Sequence, residues 1–190
     1  TWVGRGFGQY RLREEDGSLG GGVWGPEMNS KKKVGKELFL KINGKEETVF
    51  CQPGETLLFV LRNRLHHTEV KEGCGKGDCG ACTVLLDGVP VDSCLVLAYQ
   101  AQGKEILTVK GLGTAEKIHP LQKKFIEKGA IQCGFCIPGQ LLSAKARLEK
   151  NPKPSREDIK RAISGNLCRC TGYKKIVDAI EEASEKMSNQ

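Results

Sequence analysis

The sequence predicts an α+β chain in two parts, a small strand-rich unit followed by an all-α bundle, each built around cysteines. Three observations carry this reading. Apolar residues alternate around two hairpin signals before about position 112. After about Leu112 the apolar period changes from every second residue to every third and fourth. Eight of the nine Cys fall into two spaced sets, one in a glycine-rich stretch and one beside helix-starting prolines. A length of 190 residues allows one domain or two small ones, and 6% aromatics argue against a single large core.

The elements follow in order. Glu37–Ile42 and Glu46–Phe50 alternate around Asn43-Gly44, a pair suited to a tight hairpin turn. Pro53-Gly54 marks a turn, and Thr56 caps a helix-like apolar run, Leu57–Leu61. Gly73–Cys82 holds four glycines and must be loop. Thr83–Leu86 and Val89–Val91 flank Asp87-Gly88 as a second hairpin, and Glu105–Val109 reads as a further strand. Pro120 opens a helix with Leu121 and Phe125 on one face, and Pro138 opens another with Leu141, Ala144 and Leu148. Asn151–Pro154 stops it. Ser155 and Asp158 form a capping-box pattern before Ile159, Ala162 and Ile163. A last helix carries Ile176, Ile180, Ala183 and Met187.

Composition excludes several function classes. No apolar run approaches the roughly 18 residues of a membrane span, and no apolar stretch with a small-residue cleavage site marks an export signal. An odd Cys count argues against a closed disulfide framework, so the thiols point to metal or redox work in a reducing, cytoplasmic setting. The net charge of +7 comes from basic residues scattered among acidic ones. The densest group, Lys31, Lys32, Lys33 and Lys36, has no interleaved aromatics and reads as a solvated stretch, so nucleic-acid binding is not expected. Residues 1–36 hold nine of the 24 glycines and little periodicity. Such a segment buries too little apolar surface to offset its ordering entropy. It is expected to be an arm lying on a partner, anchored by Trp2, Phe7, Tyr10 and Trp24, with a start at Met28 as the alternative.

The first cysteine set is Cys74-x4-Cys79-x2-Cys82 with Cys94 beyond it. This is the spacing of plant-type [2Fe–2S] ligation, in which four thiolates project inward from a loop. The glycines at 73, 75, 77 and 80 permit unusual dihedrals and leave backbone N–H groups free to approach sulfur. The second set is Cys133-x2-Cys136 and Cys168-x-Cys170. Two such pairs alone leave zinc open. Both lie just before helices, where free N–H groups and the positive end of the helix dipole favour an anionic cluster. Cys51 has no spaced partner and reads as a buried structural thiol, and His66 and His67 read as loop residues because adjacent side chains diverge.

Together these segments resemble a known family. Gly73–Cys82, Gln132–Gly139 and Gly165–Tyr173 are similar, in order, to the cluster-binding segments of the small iron–sulfur subunits of molybdenum hydroxylases, the xanthine dehydrogenase, aldehyde oxidoreductase and carbon monoxide dehydrogenase type. The resemblance covers about residues 37–183, and Ile137 stands where the family usually has Thr. It implies an N-terminal β-grasp, plant-type ferredoxin-like domain over 37–112, and a four-helix [2Fe–2S]-binding domain over 113–190. It also implies eight ligands, Cys74, Cys79, Cys82, Cys94, Cys133, Cys136, Cys168 and Cys170, with Gln132 and Cys170 against the pterin. By the same resemblance, this is an electron-transfer subunit without catalytic residues of its own. Electrons come from a molybdenum–pterin centre in a large subunit, pass the helical-domain cluster and then the ferredoxin-domain cluster, and reach FAD in a third subunit or another acceptor. The expected assembly is a dimer of heterotrimers, and the substrate leans towards a purine or other N-heterocycle. The competing readings are a stand-alone two-cluster ferredoxin or redox sensor, and a zinc-stapled interaction module.

Overall fold

A computed structural model describes residues 34–188. The arm expected over 1–36, with its four aromatic anchors, lies outside the described residues as far as position 33. The first hairpin pairs β1 (Lys36–Ile42) with β2 (Lys45–Cys51). Asn43 and Gly44 both take positive φ, 52° and 79°, which gives the turn the twist that two antiparallel strands need. The alternation places Leu38, Leu40, Ile42, Val49 and Cys51 in the core. The second hairpin, β3 (Thr83–Leu86) and β4 (Val89–Asp92), turns at Asp87 and Gly88 with φ of 51° and 79°.

The last strand, β5 (Glu105–Leu107), enters between the hairpins, parallel to β1 and antiparallel to β3, so the sheet order is β2-β1-β5-β3-β4. It ends sooner than the expected Val109. Thr108 leaves the ladder because its N–H donates to Asn43 Oδ1 at 2.8 Å, while Asn43 Nδ2 donates to Thr108 Oγ1 at 3.0 Å. Thr108 Oγ1 donates in turn to buried Glu69 Oε1 at 2.8 Å. His67 sits in the expected loop but is anchored there, with Nδ1 3.0 Å from Glu69 Oε1 and Nε2 2.9 Å from Glu47 Oε1.

Thr56 Oγ1 accepts from the Phe59 N–H and opens α1 (Leu57–Phe59), which widens into a π-helical turn at Val60–Arg64. Leu57, Leu58, Val60 and Leu61 from this run fill the sheet core. The mixed sheet with this helical run across one face is the β-grasp, ferredoxin-like arrangement.

The second half is helical: α2 (Pro120–Glu127), α3 (Ile137–Lys150), α4 (Arg156–Ala162) and α5 (Lys174–Ser188). Leu121, Phe125, Leu141, Leu148, Ile159, Ile176 and Ile180 make its core, each worth about 1.5–3 kcal/mol as fully buried side chains. The Ser155–Asp158 capping box forms, with Ser155 Oγ accepting from the Asp158 N–H at 3.1 Å. Arg156 reaches Asp178 and Glu181 on α5. The halves join where Leu142 and Ala146 of α3 pack on Leu85 of β3. Among the described residues, no helix is long and apolar enough to cross a membrane.

Candidate metal centres

The first centre is the loop expected to wrap a cluster. Gly75, Gly77 and Gly80 take φ of 67°, 85° and 66°, conformations that side chains resist, and they coil the backbone around Cys74. Two N–H groups, of Lys76 and Asp78, point at Cys74 Sγ at 3.5 and 3.3 Å. Donors aimed at sulfur favour the thiolate, and the N–H groups of Lys76 and then Asp78 bring the Cys74 pKa down to about 7. Gly73 leaves room for a neighbouring ligand, because a Cβ there would stand 2.8 Å from Cys79 Sγ. Cys82 and Cys94 lie deeper, either side of the β3–β4 hairpin. Ser93 ties them together, its Oγ donating to Cys82 O at 2.7 Å. Burial, and then the neighbouring Cys94, push the Cys82 thiol up to about 11.

The second centre lies between the start of α3 and the turn before α5. Cys136 is the N-cap of α3, and Gly134, at φ 83°, folds the C-x-x-C segment back on itself. Cys170 Sγ lies 3.5 Å from Cys133 Sγ, and both residues are exposed. Cys168 faces Cys136 on the buried side. Burial, then the Cys168 side chain, raise the Cys136 thiol to about 12. The Cys168 pKa is lowered; burial opposes this, but the Thr171 hydroxyl, 3.1 Å from the sulfur, and the Thr171 N–H outweigh it. The Cys168 N–H donates to Tyr173 Oη at 2.7 Å, which fixes the turn before α5. The expectation of helix N-termini at both pairs therefore holds for Cys136 only. The C-x-C pair precedes α5 by a turn, and Thr171, not the helix end, supplies the donors to Cys168.

The thiols in each centre meet as two pairs: Cys74 with Cys79, Cys82 with Cys94, Cys133 with Cys170, and Cys136 with Cys168. Among the described residues, no group of three or more His, Cys, Asp or Glu converges on one ion-sized point. Four thiols meeting as two pairs match a core of two irons that takes two thiolates each, so the donor sets fit [2Fe–2S] clusters. Cys51 stays in the sheet core, apart from both centres, its thiol pushed to about 11 by burial.

Gln132 is exposed beside Cys133, and Ile131, Phe135, Leu167 and Cys170 are exposed as well. The sequence reading missed Asn166. Its amide Nδ2 donates to Gly80 O at 2.9 Å and to Thr83 Oγ1 at 3.0 Å, joining the two centres. Its place two residues before Cys168 was the one available signal.

Comparison with known proteins agrees. Residues 40–108 match the 2Fe-2S iron-sulfur cluster binding domain family, and residues 108–181 match the [2Fe-2S] binding domain family. The small FeS subunit of nicotinate dehydrogenase from Eubacterium barkeri is 49% identical over 79% of this chain and 96% of its own length. The small subunit of nicotine 6-hydroxylase from Paenarthrobacter nicotinovorans is 47% identical over 81% of this chain and 93% of its own length. Among solved structures, a chain of quinoline 2-oxidoreductase from Pseudomonas putida superposes with a TM-score of 0.78 at 44% identity, covering 82% of this chain and 97% of that one. The aldehyde oxidoreductase of Desulfovibrio desulfuricans superposes with a TM-score of 0.79 at 44% identity, but over 17% of its longer chain. The chain belongs to the family of small iron–sulfur subunits of the molybdenum hydroxylases, with two [2Fe–2S]-binding domains and an electron-transfer role.

Proposed function

We propose that the eight paired cysteines ligate two clusters, Cys74, Cys79, Cys82 and Cys94 the first and Cys133, Cys136, Cys168 and Cys170 the second. We divide the chain into three regions: an arm over 1–36 that lies on a partner subunit, and two relay domains, ferredoxin-like over 37–112 and helical over 113–190. Bound [2Fe–2S] clusters supply redox chemistry in one-electron steps. This chain's residues hold the thiolates, set their surroundings and present one end of the relay to each partner. The exposed pair Cys133 and Cys170 forms the entry end, where Gln132 and Cys170 meet a molybdenum–pterin group held by a large subunit. The less exposed pair, buried Cys136 and half-buried Cys168, comes next, and then the Cys74–Cys79 loop, which faces an acceptor, FAD in a further subunit. The assembly we propose is a dimer of heterotrimers in the cytoplasm.

The observation that carries this reading is the layout of the second centre, with one thiol pair exposed and the other packed into the helical core. The substrate class we infer is an N-heteroaromatic ring, a purine or a relative of the pyridine and quinoline substrates in the names of the similar proteins. Substrate contacts belong to the large subunit, so no residue here is assigned to them. The test is Cys170→Ala in the complete complex, assayed with an acceptor on the flavin side. Loss of turnover is expected, and intact turnover would overturn the wiring.

A further inference from the structure

Within the turn between Cys74 and Cys79, Gly75, Lys76 and Asp78 are exposed, whereas Gly77 among them is half-buried. What covers Gly77 is the side chain of Leu95. A Cβ on Gly77 would stand 2.4 Å from Leu95 Cδ1 and 3.0 Å from its Cγ, so only glycine lets the leucine seat there. The Gly77 φ of 85° disfavours a side chain for a second, independent reason. Gly77 also lies between the two sulfur donors. The N–H groups of Lys76 and Asp78, before and after it, point at Cys74 Sγ at 3.5 and 3.3 Å.

Leu95 is held from below. It follows Cys94, 6% exposed, in the turn that leaves β4. The Leu95 N–H donates to Asp92 O at 2.9 Å, and the fully buried Ser93 donates to Cys82 O through its N–H and its Oγ, at 3.4 and 2.7 Å. The backbone beneath Leu95 is thus tied to the deep side of the first centre, while its side chain is 63% exposed. So open a leucine gains little from its own burial, and its specific contact is the one with Gly77.

We propose that Leu95 is a positioning residue: seated on Gly77, it keeps the Lys76 and Asp78 N–H groups aimed at Cys74 Sγ and thereby sets the potential of the first cluster. The proposal rests on the ligand assignment above. A glycine-rich turn loses much conformational freedom on ordering, so a contact from outside the turn decides how well its donors hold their aim. The Lys76–Asp78 ion pair, at 3.1 Å and largely exposed, adds little. Hydrogen bonds to sulfur stabilise the extra negative charge of a reduced cluster, so losing them makes the cluster harder to reduce. The competing role for an apolar side chain here is to keep water out, and it has the opposite sign. Water admitted to a cluster stabilises the reduced charge and makes reduction easier.

The test uses the full chain with both clusters loaded. Iron, sulfide and a paramagnetic resonance signal from each reduced cluster are measured first, and their absence in the unmodified chain would defeat the ligand assignment itself. Leu95→Ala and the milder Leu95→Val are then compared with the unmodified chain by redox titration of each signal and by hydrogen exchange of the peptide spanning 74–79. The expected result is a lower potential for the first cluster, an unmoved second cluster and exchange quickened several-fold, each effect larger for Leu95→Ala. Leu95→Met, close in volume, should restore both readouts. Gly77→Ala should disturb the turn less when Leu95→Ala accompanies it, because the overlap is gone and only the strained φ remains. If Leu95→Ala fails to hold the first cluster, Leu95→Val decides. Unchanged potential and exchange in a loaded variant, or a first-cluster potential that rises, would overturn the proposal.

Discussion

Cys170 Sγ stands 3.5 Å from Cys133 Sγ, bringing together two exposed thiols that are 37 positions apart in sequence. In the chain freed of iron this pair is both close and exposed, and so open to oxidation. Two thiols at that separation join with little movement once an oxidant removes two electrons and two protons. Mild oxidation of the metal-free protein should therefore link Cys133 to Cys170, read by mass spectrometry of the linked peptides. Cys51, fully buried, should remain free.

Ligand loss separates the centres from the ninth cysteine. Cys170→Ser should remove the second cluster and leave the first, so that iron falls from about four to about two per chain. Cys51→Ala should leave iron and sulfide unchanged and lower stability by about 1–2 kcal/mol, through the lost packing of a buried thiol. Denaturant titration beside metal analysis checks both.

Thiol ionisation gives the metal-free fold a pH dependence with a definite sign. Cys74 is held at about 7, below its ordinary 9.0, so the folded state carries fewer protons than the unfolded one between these values. Its stabilising contribution is complete above about 9 and is lost as pH falls through about 7. Cys168, also lowered, acts in the same direction. Cys82 and Cys136, raised to about 11 and about 12, stay protonated in both states over this window and lose their contribution only above about 9. The melting temperature of the metal-free chain should rise from about pH 6 to about pH 9 and then fall. Cys74→Ser should flatten the rise.

Gly80→Ala tests the close junction directly. The new Cβ must fit a φ of 66° and stand 2.3 Å from Gly165 O, so backbone strain and steric overlap act together. A loss of about 3 kcal/mol is expected. Gly88→Ala, at φ 79° in an open hairpin turn with nothing within 4 Å, should cost only the strain.

Much of this architecture is legible in the residues, because its signals are local. Asn43-Gly44 and Asp87-Gly88 turn as their chemistry requires, and Ser155 with Asp158 caps α4. The cysteine spacings point to the thiol pairs that the fold brings together, because closely spaced sulfurs on one loop have little freedom to lie far apart. What escaped was non-local. The parallel pairing of β5 with β1 and the early end of β5 depend on Asn43 meeting Thr108, 65 positions away. Asn166 resembles any polar loop residue until Gly80 and Thr83 are seen beside it, 86 and 83 positions earlier. His67 reads as a loop residue, and only the fold brings Glu47 and Glu69 to its two nitrogens.

The central claim is that the paired thiols hold two clusters, and metal and sulfide analysis of the purified full chain, with paramagnetic resonance after reduction, tests it most directly. About four irons and four sulfides per chain, with two distinguishable [2Fe–2S] signals, are predicted. Zinc without sulfide, or a single cluster with half that iron, would contradict the account.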